Sequence, residues 1–175
     1  MRITIQNEVQ KLYKKVRIDE LIYQRFIARL NDHTPLTHEQ NSVNHFCCFT
    51  LPIDRSTQSI FLVHHIKARD WVPPGGHIDA GEIPIQTVRR EFAEELDYKI
   101  TREPIMLFDL SIKDIDNSNG LCRTHYDLWY TVETGKKQFK IDKEEFHDAD
   151  WFSYDKAIKQ IKTPLFKTII EKFLF

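Results

Sequence analysis

The sequence predicts an α+β protein with a helical N-terminal extension. Three observations predict it. Apolar residues recur at helical spacing in residues 3–16 and again from about Asp19 to Asn31. From residue 43 onward, apolar and β-branched runs alternate with polar turns, as strands do. Within that region, residues 73–98 place a Pro-Pro-Gly-Gly breaker ahead of an amphipathic helix. The extension is therefore assigned to residues 1–42 and the main domain to residues 43–175.

In the extension, Ile5, Val9, Leu12, Tyr13 and Val16 share one helical face. Asp19 suits the N-cap of a second helix carrying Leu21, Ile22, Phe26 and Leu30. Together they read as a helical hairpin. Residues 31–42, NDHTPLTHEQNS, form a polar, turn-rich linker. Its His33 and His38 read as surface residues, because no partner spacing accompanies them.

Residues 43–52 and 59–66 read as strands joined by the polar turn DRSTQ, with His64 and His65 at a strand end. Lys67 to Asp70 is a charged turn, and Trp71 to Pro73 is short and extended. A helix begins near Pro84, which suits a first helical turn. Residues 104–114 form a further strand, and DNSNG at 116–120 a hairpin loop. From Arg123 to Glu133 the chain alternates. Tyr126, Leu128, Tyr130 and Val132 face one way; Arg123, His125, Asp127 and Trp129 face the other. Residues 144–152 lead into a short helix with Ser153 as N-cap. Thr163-Pro164 opens a last helix with Phe166, Ile169, Ile170 and Phe173 on its apolar face.

The 175 residues are enough for one domain with a proper core. Lys plus Arg number 25 against 26 Asp plus Glu, so no global field draws nucleic acid or membrane. The apolar runs are far shorter than the roughly 18 residues of a membrane span. The segment MRITIQNEVQ lacks the apolar core of a secretory signal. Cys47, Cys48 and Cys122 lack metal-ligand spacing and read as free thiols in a reducing cytoplasm.

The helix after Pro84 carries the chemistry. At about 100° per residue, Glu91, Glu94 and Glu95 fall within an arc of roughly 100°, extended on one side by Arg90. Ile85, Val88, Phe92 and Leu96 form a separate apolar stripe. One face can pack on a sheet while three carboxylates converge on another. Glu91 and Glu95 at i,i+4 repel each other, so an external cation is expected, and a hard metal held through oxygen fits. An acidic helix face is by default solvated surface. The spacing of the whole stretch sets this one apart.

Gly76, five residues, Glu82, seven residues, then Arg90-Glu91-Phe92-Ala93-Glu94-Glu95 resembles the Nudix box. Asp97 departs from it, standing where the family has glycine, and Tyr98 fills the last apolar position. Outside the box, Pro74-Gly75-Gly76-His77, His125-Tyr126-Asp127 and the segment Glu145 to Phe152 resemble one branch of that family, as does a helical N-terminal extension. The resemblance covers about residues 43–162.

It implies the Nudix fold, a mixed sheet sandwiched between helices. It implies cleavage of a nucleoside diphosphate linked to another moiety, with Mg²⁺ or Mn²⁺. Glu91, Glu94, Glu95 and the Gly75 carbonyl would hold metal. Arg90 would orient a carboxylate, Gly76 would support the loop, and Glu82 would support it or contact metal through water. Glu94, Glu95 or Glu145 would serve the proton transfer. His77, His125 and Asp127 would face a small nucleotide-type substrate. Oxidised nucleoside triphosphates, dinucleoside polyphosphates, nucleotide sugars and NADH all remain candidates. A homodimer is compatible with the extension. Two rival readings share the fold: a ligand-binding or sensor module without turnover, which the intact box disfavours, and an isomerase, whose extra acidic and cysteine pattern is missing.

Overall fold

A computed structural model describes residues 1–115 and 122–173. The expected hairpin loop at 116–120 lies outside the described residues. Two helices come first, α1 (Arg2–Tyr13) and α2 (Glu20–Asn31). Strands β1 (Asn44–Asp54), β2 (Ser59–His65), β3 (Asp70–Val72) and β4 (Gly75–His77) follow, then helix α3 (Pro84–Leu96). Strands β5 (Ile105–Asp114), β6 (Thr124–Glu133) and β7 (Phe146–Ser153) lead to helices α4 (Tyr154–Gln160) and α5 (Pro164–Phe173).

The sheet runs β3-β2-β1-β6-β5, with β4 added to β1 and β7 to β2. It is mixed: β1 and β6 are parallel, and every other described pair is antiparallel. Along one edge, β1 pairs with β4 at Cys47–Phe49 and with β2 at Ile53–Asp54. That division seats the glycine pair of β4 directly on β1. A Cβ on Gly75 would lie 2.2 Å from the Cys48 carbonyl oxygen, and its φ of +142° also demands glycine.

Two strands were not expected, β4 and β7. Both are short or polar, and both take their extended form from the strand they pair with. Alternation over β6 predicts one solvated face, yet Asp127 to Val132 are all buried. The strand lies between β1 and β5 and is covered on both sides.

One sheet face carries Phe46 and Tyr126, packed edge-on against Phe26 of α2. The same face carries Tyr130, whose hydroxyl donates to Glu8 of α1. The opposite face carries Phe49 and Trp129, which pack on Phe166 of α5. The extension thus joins the same core as the sheet: Ile5, Val9, Phe26 and Leu30 are buried within it. Each such side chain contributes roughly 1.5–3 kcal/mol of burial. Helix α1 stops at Tyr13, leaving Val16 outside the core and 44% exposed. Asp19 caps α2 by accepting from the Leu21 and Ile22 amides. Ser153 stands at the N-cap of α4 without a side-chain bond. Among the described residues, no helix is long and apolar enough to cross a membrane.

Candidate active site

Helix α3 starts at Pro84, and the Gln86 side chain accepts from the Ile83 amide ahead of it. Val88, Phe92 and Leu96 are buried, as are Pro84, Thr87 and Glu95, whereas Ile85 is only half-buried. The helix ends at Asp97, which adopts the left-handed conformation at φ 47° and ψ 39°. Residues 140 and 142 then close the last turn, since their amides donate to the Leu96 and Glu95 carbonyls. Lys140 also reaches the Asp97 carboxylate at 3.2 Å.

Arg90 is the hub of the polar face. It grips Glu82 with two bonds, from Nε at 2.9 Å and Nη2 at 3.1 Å. Nη2 also donates to the His77 carbonyl. Nη1 reaches Glu91 at 2.8 Å and Glu94 at 3.0 Å, and Asp79 stands 3.2 Å from Nε. Glu82 further accepts from the Thr87 hydroxyl and the Asp79 amide. Burial alone would raise the Glu82 pKa, but the bonds from Arg90 and Thr87 outweigh it and hold the group lowered. The loop from Gly76 to Pro84 is thereby pinned to the helix it precedes.

Glu91 and Glu95 face the glycine pair. Glu95 accepts from the Gly75 amide at 2.8 Å and is buried. A Cβ on Gly76 would stand 2.4 Å from Glu91 Oε1, so glycine there makes room for the carboxylate. Burial pushes Glu91 up to about 7, with Arg90 opposing and the charges of Glu94 and Glu145 adding. Burial and the neighbouring Glu91 charge raise Glu95 well above the carboxylate range, while the Gly75 amide lowers it. Glu94 is exposed on the flank of this pair. Glu145 is exposed in the turn before β7, close enough for its charge to act on both Glu91 and Glu95. A divalent cation fits this set, because these mutually repelling carboxylates supply only oxygen and, among the described residues, Arg90 is the one cation paired with them.

His77, His125 and Asp127 lie elsewhere, on the α5-facing side of the sheet. Register sets His45 beside His125 and Cys47 beside Asp127 across β1 and β6, and Cys47 beside His77 across β1 and β4. Asp127 is fully buried; it accepts from the Ser111 hydroxyl through Oδ2, and burial pushes it up to about 7. His38 is not the surface residue its linker position predicts. It is half-buried and stacks on His77 with ring centroids 4.4 Å apart. Cys122, without ligand spacing in the sequence, sits 2.9 Å from His125 Nε2 and 3.3 Å from His45 Nε2. Burial and the neighbouring imidazoles bring His45 and His77 down to about 4 and His125 to about 3, so all three are neutral at pH 7. Linear spacing could not reveal His45, which strand pairing brings to His125, whereas Cys122 lies only three residues before His125. Thr87 was within reach, lying five residues beyond Glu82.

Residues 45–173 match the family model of the NUDIX domain. Comparison with curated protein sequences gives no match. Among solved structures, the E. coli dihydroneopterin triphosphate pyrophosphohydrolase is similar at TM-score 0.65 and 16% identity, over 73% of this chain and 93% of that one. A C. elegans Ap4A hydrolase binary complex is similar at TM-score 0.60 and 17% identity, over 75% and 94%. A NUDIX hydrolase from Nitrosomonas europaea is similar at TM-score 0.56 and 25% identity, over 73% and 86%. With the family model spanning most of its length, and the mixed sheet between helices in place, the chain belongs to the Nudix family of hydrolases, enzymes that act on phosphoric anhydrides.

Proposed function

We propose that the chain hydrolyses the pyrophosphate bond of a nucleoside diphosphate joined to another moiety, with Mg²⁺ or Mn²⁺ held by Glu91, Glu94, Glu95 and the Gly75 carbonyl. The single observation that carries this reading is the all-oxygen pair of half-buried Glu91 and buried Glu95 set against the Gly75-Gly76 backbone. When bound there, a hard divalent cation supplies neutralisation of the pyrophosphate charge and acidification of the attacking water.

The chain's own residues do the rest. Arg90 holds Glu91 in place and ties the loop through Glu82 and the His77 carbonyl. Glu94 and Glu145 are the exposed carboxylates at the rim; Glu145 would accept the proton of water, and Glu94, bonded to Arg90, would do so only where it does not hold metal. Glu145 comes from a turn rather than from the helix, so it can close on substrate after binding. Apart from the carboxylate site, a cavity of about 940 Å³ is lined by Lys136, Lys137, Lys140 and Lys143 together with Asp148 and Asp150. Residues 1–42 act as a helical cover for the catalytic domain of residues 43–175, a role supported by Phe26 and Leu30 in the common core.

The test is incubation with Mg²⁺ or Mn²⁺ and a panel of oxidised nucleoside triphosphates, dinucleoside polyphosphates, nucleotide sugars and NADH. Phosphate-containing products should appear and should vanish with chelator. Full activity in excess chelator would sink the metal role. Binding of a panel member without any turnover would instead establish the sensor reading.

A further inference from the structure

The imidazole and thiol cluster lies outside the carboxylate site, and a substrate-facing role for His77 and His125 would not by itself account for the thiol and third imidazole gathered there. Ligand atoms of His45, His77, Cys122 and His125 all lie within 4.8 Å of one another. A tetrahedral site with Zn–N near 2.0–2.1 Å and Zn–S near 2.3 Å needs separations of roughly 3.3–3.7 Å. The 3.3 Å from Cys122 Sγ to His45 Nε2 lies close to the sulfur–nitrogen end of that range, and the 2.9 Å to His125 Nε2 needs an opening of about 0.6 Å. The orientation of His45 is set from outside the cluster. Its Nδ1 stands 3.1 Å from the Asn41 carbonyl oxygen. A carbonyl only accepts, so Nδ1 carries the proton and Nε2 turns a lone pair on the cluster. This backbone contact is the support that metal-bound histidines ordinarily have. The ring of His77 is held flat by His38.

We infer that His45, His77, His125 and Cys122 form a second metal site, a closed four-ligand site for a borderline-soft divalent ion of the Zn²⁺ class. The donor set distinguishes it from the carboxylate site. Three imidazoles and one thiolate suit Zn²⁺ or Co²⁺, whereas Mg²⁺ demands oxygen. Cys122 binds as thiolate and releases its proton to solvent. With all four positions filled by protein, the role is structural. The ion would tie together the start of β1, the end of β4, and the start of β6 with Cys122 just ahead of it. His77 connects this fastening to the active site, because its carbonyl accepts from Arg90 while its ring serves the cluster.

The experiment is titration of the chelator-stripped full chain with Co²⁺ in excess Mg²⁺, which occupies the oxygen site. One equivalent of Co²⁺ should bind with tetrahedral visible bands and a thiolate-to-metal charge-transfer band. Zn²⁺ should displace it and raise the melting temperature. Cys122→Ser should lose the charge-transfer band and weaken Co²⁺ binding at least tenfold. Cys47→Ser should keep both; Cys47 belongs to an adjoining triad with His125 and Asp127 and is the rival thiol. Circular dichroism checks that both variants fold. His45→Ala, which spares both thiols, tests the same site should Cys122→Ser fail to fold. No charge-transfer band in the wild-type chain would overturn the inference, leaving a hydrogen-bonded thiol and imidazole cluster. So would a band that survives in Cys122→Ser or His45→Ala and disappears in Cys47→Ser.

Discussion

The carboxylate face of α3 and the imidazole cluster on β1, β4 and β6 are built by opposite routes. The first is local: Arg90, Glu91, Glu94 and Glu95 come from little more than one helical turn, and Glu82 from the loop just before it. The second is assembled from His45, His77, Cys122 and His125, with Cys122 and His45 separated by 77 positions. Their chemistry differs as sharply. The helix offers oxygen and negative charge, with Arg90 as internal counter-ion. The cluster offers neutral nitrogen and sulfur. They meet at a single residue, His77, whose carbonyl serves one and whose ring serves the other. The difference teaches that one domain can hold two donor sets without competition, because each selects its ion by hardness.

The largest expected effect tests whether chemistry is confined to the carboxylate region. Glu145→Gln should lower turnover by roughly 10²–10⁴-fold with metal affinity intact, the usual range for loss of a general base. Glu91→Gln and Glu95→Gln should weaken Mg²⁺ binding itself. Metal titration beside single-turnover rates separates the two outcomes. If Glu145→Gln cleaves at the wild-type rate, the proton goes to Glu94 or to solvent instead.

The glycine pair sharpens the contrast within one region. Gly75→Ala meets backbone, the Cys48 carbonyl at 2.2 Å, at a φ of +142°. Strain of this backbone kind costs of order 1–3 kcal/mol before the clash is counted, so the variant should unfold at markedly lower denaturant. Gly76→Ala meets the Glu91 carboxylate, which can swing aside. It should keep most of its stability while losing Mg²⁺ affinity. Equal melting temperatures for the two variants would contradict this assignment.

The pH response of the metal-free chain gives a smaller but directional test. Glu91 is raised from an ordinary 4.5 to about 7. The folded chain therefore binds that proton more tightly than the unfolded chain. Its contribution is present below about 4.5 and is lost as pH rises toward about 7. Melting curves in chelator should show that loss, and Glu91→Gln should flatten it. Excess Mg²⁺ should oppose it, since the cation prefers the ionised carboxylate. A chelated wild-type chain whose Glu91→Gln variant shows the same pH slope would refute the attribution.

The smallest effect belongs to Asp97. Its left-handed geometry suits glycine, its charge faces the negative end of the helix dipole, and its partner Lys140 is 86% exposed. Asp97→Gly should be neutral or stabilising by up to about 1 kcal/mol, with both metal sites unaffected. A clear fall in melting temperature would give the Lys140 contact more weight than an exposed pair ordinarily has.

The carboxylate face was legible in residues 73–98 alone, because a helix repeats every 3.6 residues and side-chain spacing then sets the face. The caps at Asp19 and Pro84 and the unusual Asp97 were legible for the same reason: each depends on the local backbone. Strands β4 and β7 were not, since residues such as Gly75-Gly76-His77 become a strand only through the partner edge. The burial of Glu95, the bidentate grip of Arg90 on Glu82 and the meeting of His45 with Cys122 were also decided by tertiary structure. Periodicity carries information across one helix or one strand. Which strand lies beside β1, and in what register, depends on how the whole core closes, and that alone put His125 next to His45 and a thiol between them.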